Sequence, residues 1–284
     1  MESGRSGSFT VVSVPDGYQR FMLRQLFEPW AADLVSRAGI TPGQHVLDVA
    51  SGPGPVARLA AAAAGPGGRV VASDISAAML AAAAARPADQ GWAPIEYLEC
   101  PAAAIAADDD SFDVVLCQQG LQFFPDRAAA VAEMRRVAKP GGLVVAATWA
   151  AGYPLGLFGA MNETLPEAGV AEPFPRAFDS ASYQIGDGEL AGLFGAAGLR
   201  DVAVETAELV AAWPTAEDAT ATLLGTPFGP LVAALPDDEQ WQVRERLAAR
   251  LGASASGGDG VTVRTVSNVA RGVKLAGDSA LPPA

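Results

Sequence analysis

Short, mostly apolar runs alternate with alanine-rich stretches of helical spacing along the first half of the chain. Val46-Leu47-Asp48-Val49, Val70-Val71-Ala72-Ser73, Ile95-Glu96-Tyr97-Leu98, Val114-Val115-Leu116-Cys117 and Leu143-Val144-Val145 are the runs. Near-continuous apolar segments of this length suit strands buried on both faces of a parallel sheet, with the intervening helices as crossovers. Upstream, residues 15 to 38 place Phe21, Met22, Leu26, Phe27, Trp30, Leu34 and Val35 at helical spacing, which predicts a helix packed over a sheet edge. Beyond Trp149 the pattern loosens into Gly, Pro and aromatic residues, and a short helix from Asp187 ends at Gly198. Alternation over Val202 to Trp213 then predicts a sixth strand, and residues 214 to 251 read as helices broken at Thr226-Pro227-Phe228-Gly229-Pro230. A last strand runs from Val261 to Lys274.

The first run leads directly into Ala50-Ser51-Gly52-Pro53-Gly54-Pro55 and the helical Val56-Ala57-Arg58-Leu59-Ala60. Glycines in such a turn let the backbone bend sharply and approach a ligand, and the helix start offers N–H groups to it. About twenty residues after Gly54 the second run ends in Asp74, the position and residue type that grips a ribose diol in nucleoside-binding α/β folds. Gly52-x-Gly54-x-x-Ala57 also satisfies the dinucleotide fingerprint, so a nicotinamide oxidoreductase is one reading.

Asp48, four residues before Gly52, sets a different one. The segment resembles the Asp-x-Gly-x-Gly-x-Gly motif of class I S-adenosylmethionine-dependent methyltransferases, with Ala50 in place of the first glycine. Ser111 to Gln119 resembles the fourth strand, and Arg135 to Val145 with its Lys139-Pro140-Gly141-Gly142 turn resembles the helix, turn and fifth strand, of the small-molecule branch related to the ubiquinone and menaquinone C-methyltransferases. The similar segments cover residues 45 to 149. The resemblance implies a Rossmann-like sheet of seven strands, mostly parallel with an antiparallel last strand, helices on both faces and a helical cap. It implies S-adenosylmethionine as cofactor, held by Tyr18, Asp48, Ala50, Gly52, Gly54, Asp74, Ile75, Met79, Pro101, Ala102, Gln118 and Gln119.

Three of these positions leave questions open. Where relatives read Gly-Asp-Ala after strand three, this chain has Cys100-Pro101-Ala102, so the adenine amino group must meet a backbone carbonyl, a shifted Glu99 or no polar partner. Gln118 and Gln119 either hydrogen-bond a ligand or cap local backbone. Ile75 and Met79 sit where an adenine ring would lie, and ordinary core packing also accounts for them.

The implied layout is a tail over 1–14, a cofactor-binding core with its N-terminal helix over 15–149, and a cap segment over 150–183. A core helix and strand six over 184–213, a helical cap insertion over 214–251, and the last strand with a C-terminal tail over 252–284 complete it. No apolar run reaches the length of a bilayer span, and Met1 to Thr10 lack the apolar centre of a signal peptide, which predicts a cytoplasmic protein. Two cysteines, Cys100 and Cys117, suit that compartment without a disulfide. A net charge of −13 with scattered Lys and Arg argues against a nucleic-acid partner, leaving a small molecule.

One histidine and two separated cysteines build no zinc site, and His45 precedes strand one, at the edge of the sheet away from ligands. The leading expectation is therefore methyl transfer to an apolar small molecule, as in natural-product tailoring, with the acceptor enclosed by Tyr153, Phe158, Met161, Phe174, Phe178 and Trp241. No catalytic base is evident; Tyr153, Glu163 and Asp179 in the cap are the candidates. The other alternative is an S-adenosylmethionine-binding enzyme that catalyses a cyclisation or rearrangement.

Overall fold

The computed structural model describes residues 18–86, 88–153, 156–170, 184–225, 229–253 and 260–276, with the side chains of residues 18–21 excepted. Seven strands form one sheet in the order β3-β2-β1-β4-β5-β7-β6. β1 (His45–Val49), β2 (Arg69–Asp74), β3 (Ile95–Glu99), β4 (Phe112–Gln118) and β5 (Ala138–Trp149) are parallel. β7 (Val261–Val273) runs antiparallel between β5 and β6 (Arg200–Trp213). Strand order reverses between β1 and β4, so the carboxyl ends of β2, β1 and β4 open a crevice where ligands bind in such sheets.

The crossover helices bury small side chains against the sheet. α2 (Pro55–Ala64) presents Val56, Ala57, Ala60, Ala61 and Ala64, all buried, beneath Ala31 and Leu34 of α1 (Glu28–Ala38). Alanine at these positions lets helix and strand backbones approach closely and carries high helix propensity. On the other face α4 (Arg127–Val137) packs Val131 and Met134 over β4 and β5, and α6 (Asp187–Ala196) packs Leu190 and Phe194 over β6 and β7. α3 (Ala77–Ala84) follows β2, its N-terminus capped by the Ser76 hydroxyl, which accepts from Met79 N.

The Pro-Gly-Gly turn is absorbed into β5. Its register jumps from Phe112↔Ala138 to Val114↔Leu143, and the slack is the turn itself. Gly141, at φ +81°, donates to Lys274 O, and Lys274 N donates to Gly142 O. Lys139 Nζ lies 2.9 Å from both Asp113 oxygens. Burial alone would raise the Asp113 carboxyl, but Lys139 and the His45 N–H hold it below the ordinary aspartate value.

The segment before β1 differs from the single α-helix expected. Tyr18–Phe27 is a wide π-type helix, and only from Glu28 does the chain tighten into α1, with Pro29 in its first turn. Residues 15–17 lie outside the described residues. The wide turns carry Met22 and Leu26 into an apolar cluster shared with Trp30, Trp149, Phe158 and Met161. That cluster is the core of a roof. α5 (Gly156–Glu167), α7 (Ala216–Leu224), α8 (Gly229–Ala233) and α9 (Asp237–Ala253) add Leu165, Leu223, Val232, Val243 and Leu247 to it. Trp30 Nε1 donates to Thr265 Oγ1 of β7, anchoring the roof to the sheet.

Candidate cofactor and acceptor site

Between the roof and the carboxyl ends of β1, β2 and β4 lies a cavity of about 360 Å³. Its floor is the stretch from Asp48 to Val56, where the N–H groups of Ser51, Gly52 and Gly54 donate to protein acceptors. Asp48 is 1% exposed, and its Oδ2 accepts from Ala57 N in the first turn of α2 at 3.0 Å. Burial drives this carboxyl well above the ordinary range; the Ala57 bond opposes that, and the nearby Asp74 charge adds to it. Asp48 thereby satisfies a helix N–H that would otherwise lack a partner.

Gly52 and Gly54 take φ +54° and +79°, the left-handed region that a side chain disfavours. Ala50 takes φ +55° as well, which accounts for the glycine that the methyltransferase motif carries there. Its Cβ fills the space in front of Gly120, where an added Cβ would lie 2.7 Å from it. The strand end of β4 repeats the device, with Gln119 at φ +53°.

Asp74 ends β2 with Oδ2 accepting from Gly52 N and Oδ1 from Ser76 N, both at 2.8 Å. Burial raises this carboxyl, opposed by the N–H groups of Ser76, Gly52 and Ile75. A carboxylate has about four acceptor positions, so with three N–H groups on it about one remains for a ribose hydroxyl. Next to it Ile75, 49% exposed, and Met79, Pro101, Ala102 and Ala103 form an apolar slot. Glu99 is exposed and does not line the cavity, and Pro101 O accepts from Ala104 N. The slot therefore grips a flat ring by its faces and offers no carboxylate to an amino group.

The two glutamines separate in role. Gln119 turns into the sheet, donating to Ser267 Oγ and accepting from Gln122 Nε2. Gln118 Nε2 donates to Phe27 O, while its Oε1 is buried without a partner among the described residues. Ser51 Oγ, also on the cavity wall, is a second buried atom without one. Leu26, Phe27, Phe123, Phe124, Trp149 and Phe158 complete an apolar chamber beside them.

Asp48, Ala50, Gly52, Asp74, Ile75, Met79, Pro101, Ala102, Gln118 and Gln119 thus meet on one cavity, and Gly54 starts α2 just below it. The Tyr18 side chain lies outside the described residues, as do Asp179, Phe174 and Phe178. Two cap candidates lie away from the cavity. Tyr153 is 41% exposed under the Arg264 guanidinium, and the Glu163 side chain is 70% exposed and paired with Arg250 at 3.3 Å. Met161 packs inside the roof core, and Trp241 is 62% exposed. Of the expected enclosing side chains, only Phe158 among the described residues lines the cavity. The aromatic wall comes instead from the roof helix and the ends of β4 and β5, where Phe27, Phe123, Phe124 and Trp149 directly flank the strand and helix signals.

The chemistry of the lining separates the two nucleotide readings. A pyrophosphate is held by unpaired N–H groups at the turn and helix start. Here the N–H groups of Gly52, Gly54, Ala57 and Arg58 already serve protein acceptors, and Pro53 and Pro55 have none. The charged side chains on the described lining are Asp48, Asp74 and Asp126, all acidic. Such a site suits a sulfonium cation and opposes a dinucleotide. The residues present fit S-adenosylmethionine: Asp74 for the ribose, the apolar slot for adenine, and the strand ends of β1 and β4 for the amino-acid end.

Comparison with known proteins gives the same direction. The model of the ubiE/COQ5 methyltransferase family matches residues 11–152. An uncharacterized protein of Mycobacterium tuberculosis is 37% identical over 149 residues, which are 52% of each chain. The ubiquinone/menaquinone biosynthesis C-methyltransferase UbiE of Burkholderia mallei is 34% identical over 176 residues, 62% of this chain and 65% of that one. The chain thus spans about half the length of the mycobacterial relative. Among solved structures, the YcgJ protein of Bacillus subtilis superposes with a TM-score of 0.54 at 19% identity, covering 87% of this chain and 98% of that one. A Haemonchus contortus phosphoethanolamine N-methyltransferase, solved with S-adenosylmethionine, gives 0.55 at 21% identity over 87% of this chain and 53% of its own.

Proposed function

The chain belongs to the ubiE/COQ5 methyltransferase family, and from that premise we propose that it transfers a methyl group from S-adenosylmethionine to an apolar small molecule. The observation that carries this reading is the composition of the cavity, the Asp74 carboxylate on a glycine-turn floor joined to an aromatic chamber with no basic side chain on its described lining. An acceptor bearing carboxylate or phosphate would leave its charge unpaired there, at a cost far above that of a neutral ring. Tailoring of an apolar natural product in the cytoplasm is the role this reading assigns. The buried free thiols of Cys100 and Cys117 fit a reducing compartment.

S-adenosylmethionine supplies an electrophilic sulfonium methyl when bound. The protein's part is placement. Asp48 and Asp74 are committed to the α2 start and the ribose, and Asp126 Oδ1 caps α4 through Ala129 N. Phe27, Phe123, Phe124, Trp149 and Phe158 exclude water and fix the acceptor ring beside the methyl. Orientation of this kind supplies several of the roughly 7–11 kcal/mol available to well-aligned reactants. The test is a mass-spectrometric screen in which the protein and S-adenosylmethionine are offered neutral aromatic and polyketide-like acceptors alongside phosphorylated and carboxylated ones. Methylated products confined to the neutral set are expected. Turnover of highly charged acceptors in preference to them would overturn the proposal.

A further inference from the structure

Gln118 stands where the floor of the cavity meets its roof. It is the last residue of β4, and its Nε2 donates to Phe27 O at 3.0 Å. Phe27 is itself a junction, the last residue of the wide helix and the residue preceding α1. Wide helical turns are uncommon and are frequently found at functional sites. The other end of the same amide, Oε1, is closed off from water and has no partner among the described residues. Buried carbonyls are almost always paired, so an orphan on a cavity wall marks a place for a donor. Ser51 Oγ, at the end of the neighbouring strand β1, is in the same state.

The sheet order identifies the donor. Asp74 ends β2, and β4 is two strands away from it across β1, a separation of about 10 Å. With the ribose on Asp74 and the adenine in the slot on the β3 side, the part of S-adenosylmethionine that extends over β1 towards β4 is its amino-acid end. Its ammonium is the donor group there.

We propose that Gln118 is a two-sided positioning residue that couples occupation of the cavity to the roof: Oε1 accepts from the ligand's ammonium, and Nε2 carries the resulting shift to Phe27. The inference rests on the cofactor reading. Oε1 is buried, so bonding to the ammonium requires the amide to shift, and its Nε2 bond passes that shift to Phe27. The roof therefore responds to the amino-acid end of the ligand and not to its nucleoside. Met22, Leu26 and Phe27 also line the acceptor chamber, so the amide arranges that chamber after the cofactor has bound.

The test compares S-adenosylhomocysteine with methylthioadenosine, which keeps the nucleoside and sulfur but lacks the amino-acid end. Affinities are read by calorimetry and the roof by hydrogen exchange over Met22–Trp30, on the full chain. In the unaltered protein S-adenosylhomocysteine should change exchange over this segment and methylthioadenosine should leave it as in the free protein. Gln118→Met, of similar volume and without polar atoms, should weaken S-adenosylhomocysteine by about tenfold, leave methylthioadenosine within about twofold, and abolish the roof response. Gln118→Glu keeps an acceptor but cannot donate to Phe27 O, so it should retain S-adenosylhomocysteine binding and lose the roof response. Equal weakening of both ligands in Gln118→Met, no weakening of either, or survival of the roof response in either variant would overturn the coupling while leaving the cofactor assignment intact. Failure of both ligands to bind the unaltered protein would instead overturn the cofactor reading and this inference with it.

Discussion

Replacing Ala50 with glycine and Gly120 with alanine tests the packing that shapes the cavity floor. Ala50 holds φ +55°, a conformation that costs an L-residue roughly 1–2 kcal/mol. Glycine removes that strain but frees the unfolded chain by about 0.4–1 kcal/mol, so Ala50→Gly should stabilise the protein by about 0.5 kcal/mol. Gly120 has φ −99°, so its backbone tolerates a side chain and the obstacle is space. An added Cβ meets Ala50 Cβ at 2.7 Å, Cys117 Sγ at 3.1 Å and Phe124 Cζ at 3.3 Å. Overpacking of this kind costs about 1–3 kcal/mol. In the Ala50→Gly background the worst contact vanishes and the two remaining neighbours need give only a few tenths of an ångström. The double variant should then be more stable than the sum of the single changes by about 1 kcal/mol. Urea denaturation of the four proteins measures this. Additivity within about 0.5 kcal/mol would refute the claim that the Ala50 side chain is what excludes one from position 120.

Asp74→Ala should weaken S-adenosylmethionine at least about tenfold by calorimetry, since charge-assisted bonds are worth roughly 1.5–3 kcal/mol; unchanged affinity would remove Asp74 from the site. Burial raises the Asp74 and Asp48 carboxyls above the ordinary 3.8, so the free folded protein holds more protons than the unfolded chain just above that value, and its stability contribution from them falls as pH rises through the window. A cationic ligand favours the ionised forms, so binding in mildly acidic buffer should release protons and weaken on further acidification; proton uptake in buffers of different ionisation heat would contradict this. His45→Gln should leave single-turnover methyl transfer nearly unchanged, because His45 opens β1 at its amino end, opposite the cavity, and binds Asp113 through its backbone N–H. Burial, with the Asp48 charge, pushes the Cys117 thiol up to about 12, so the folded protein should resist iodoacetamide at that residue until denaturant is added, as peptide mass mapping would show.

The sheet was legible because its signals are local. Val46 to Val49 and Val114 to Cys117 are fully apolar on both faces except where Asp48 meets α2, and glycines mark the turns that follow β1 and β4. The residues that meet on the cavity were legible for the same reason, since strand ends and first helical turns lie close together in sequence. What the sequence hid depends on contacts between distant segments. The orientation of Gln118 towards Phe27, 91 residues away, and of Gln119 towards Ser267, 148 away, follows from the sheet order rather than from either neighbourhood. The aromatic wall was sought in the cap because aromatics cluster there, yet Phe27 and Trp149 reach the cavity through an edge-on stack of Trp149 with Trp30 and a tilted one with Phe27. The change from a wide helix to an ordinary one at Phe27 leaves no mark in the spacing, because apolar residues three, four and five apart serve both.

Calorimetric titration of the purified protein with S-adenosylmethionine, S-adenosylhomocysteine and NAD tests the central claim most directly. The spent N–H groups of Gly52, Gly54, Ala57 and Arg58 and the three acidic side chains on the cavity predict saturable one-to-one binding of the first two and none of NAD at the same concentrations. NAD binding with affinity equal to or above that of S-adenosylmethionine would contradict the account.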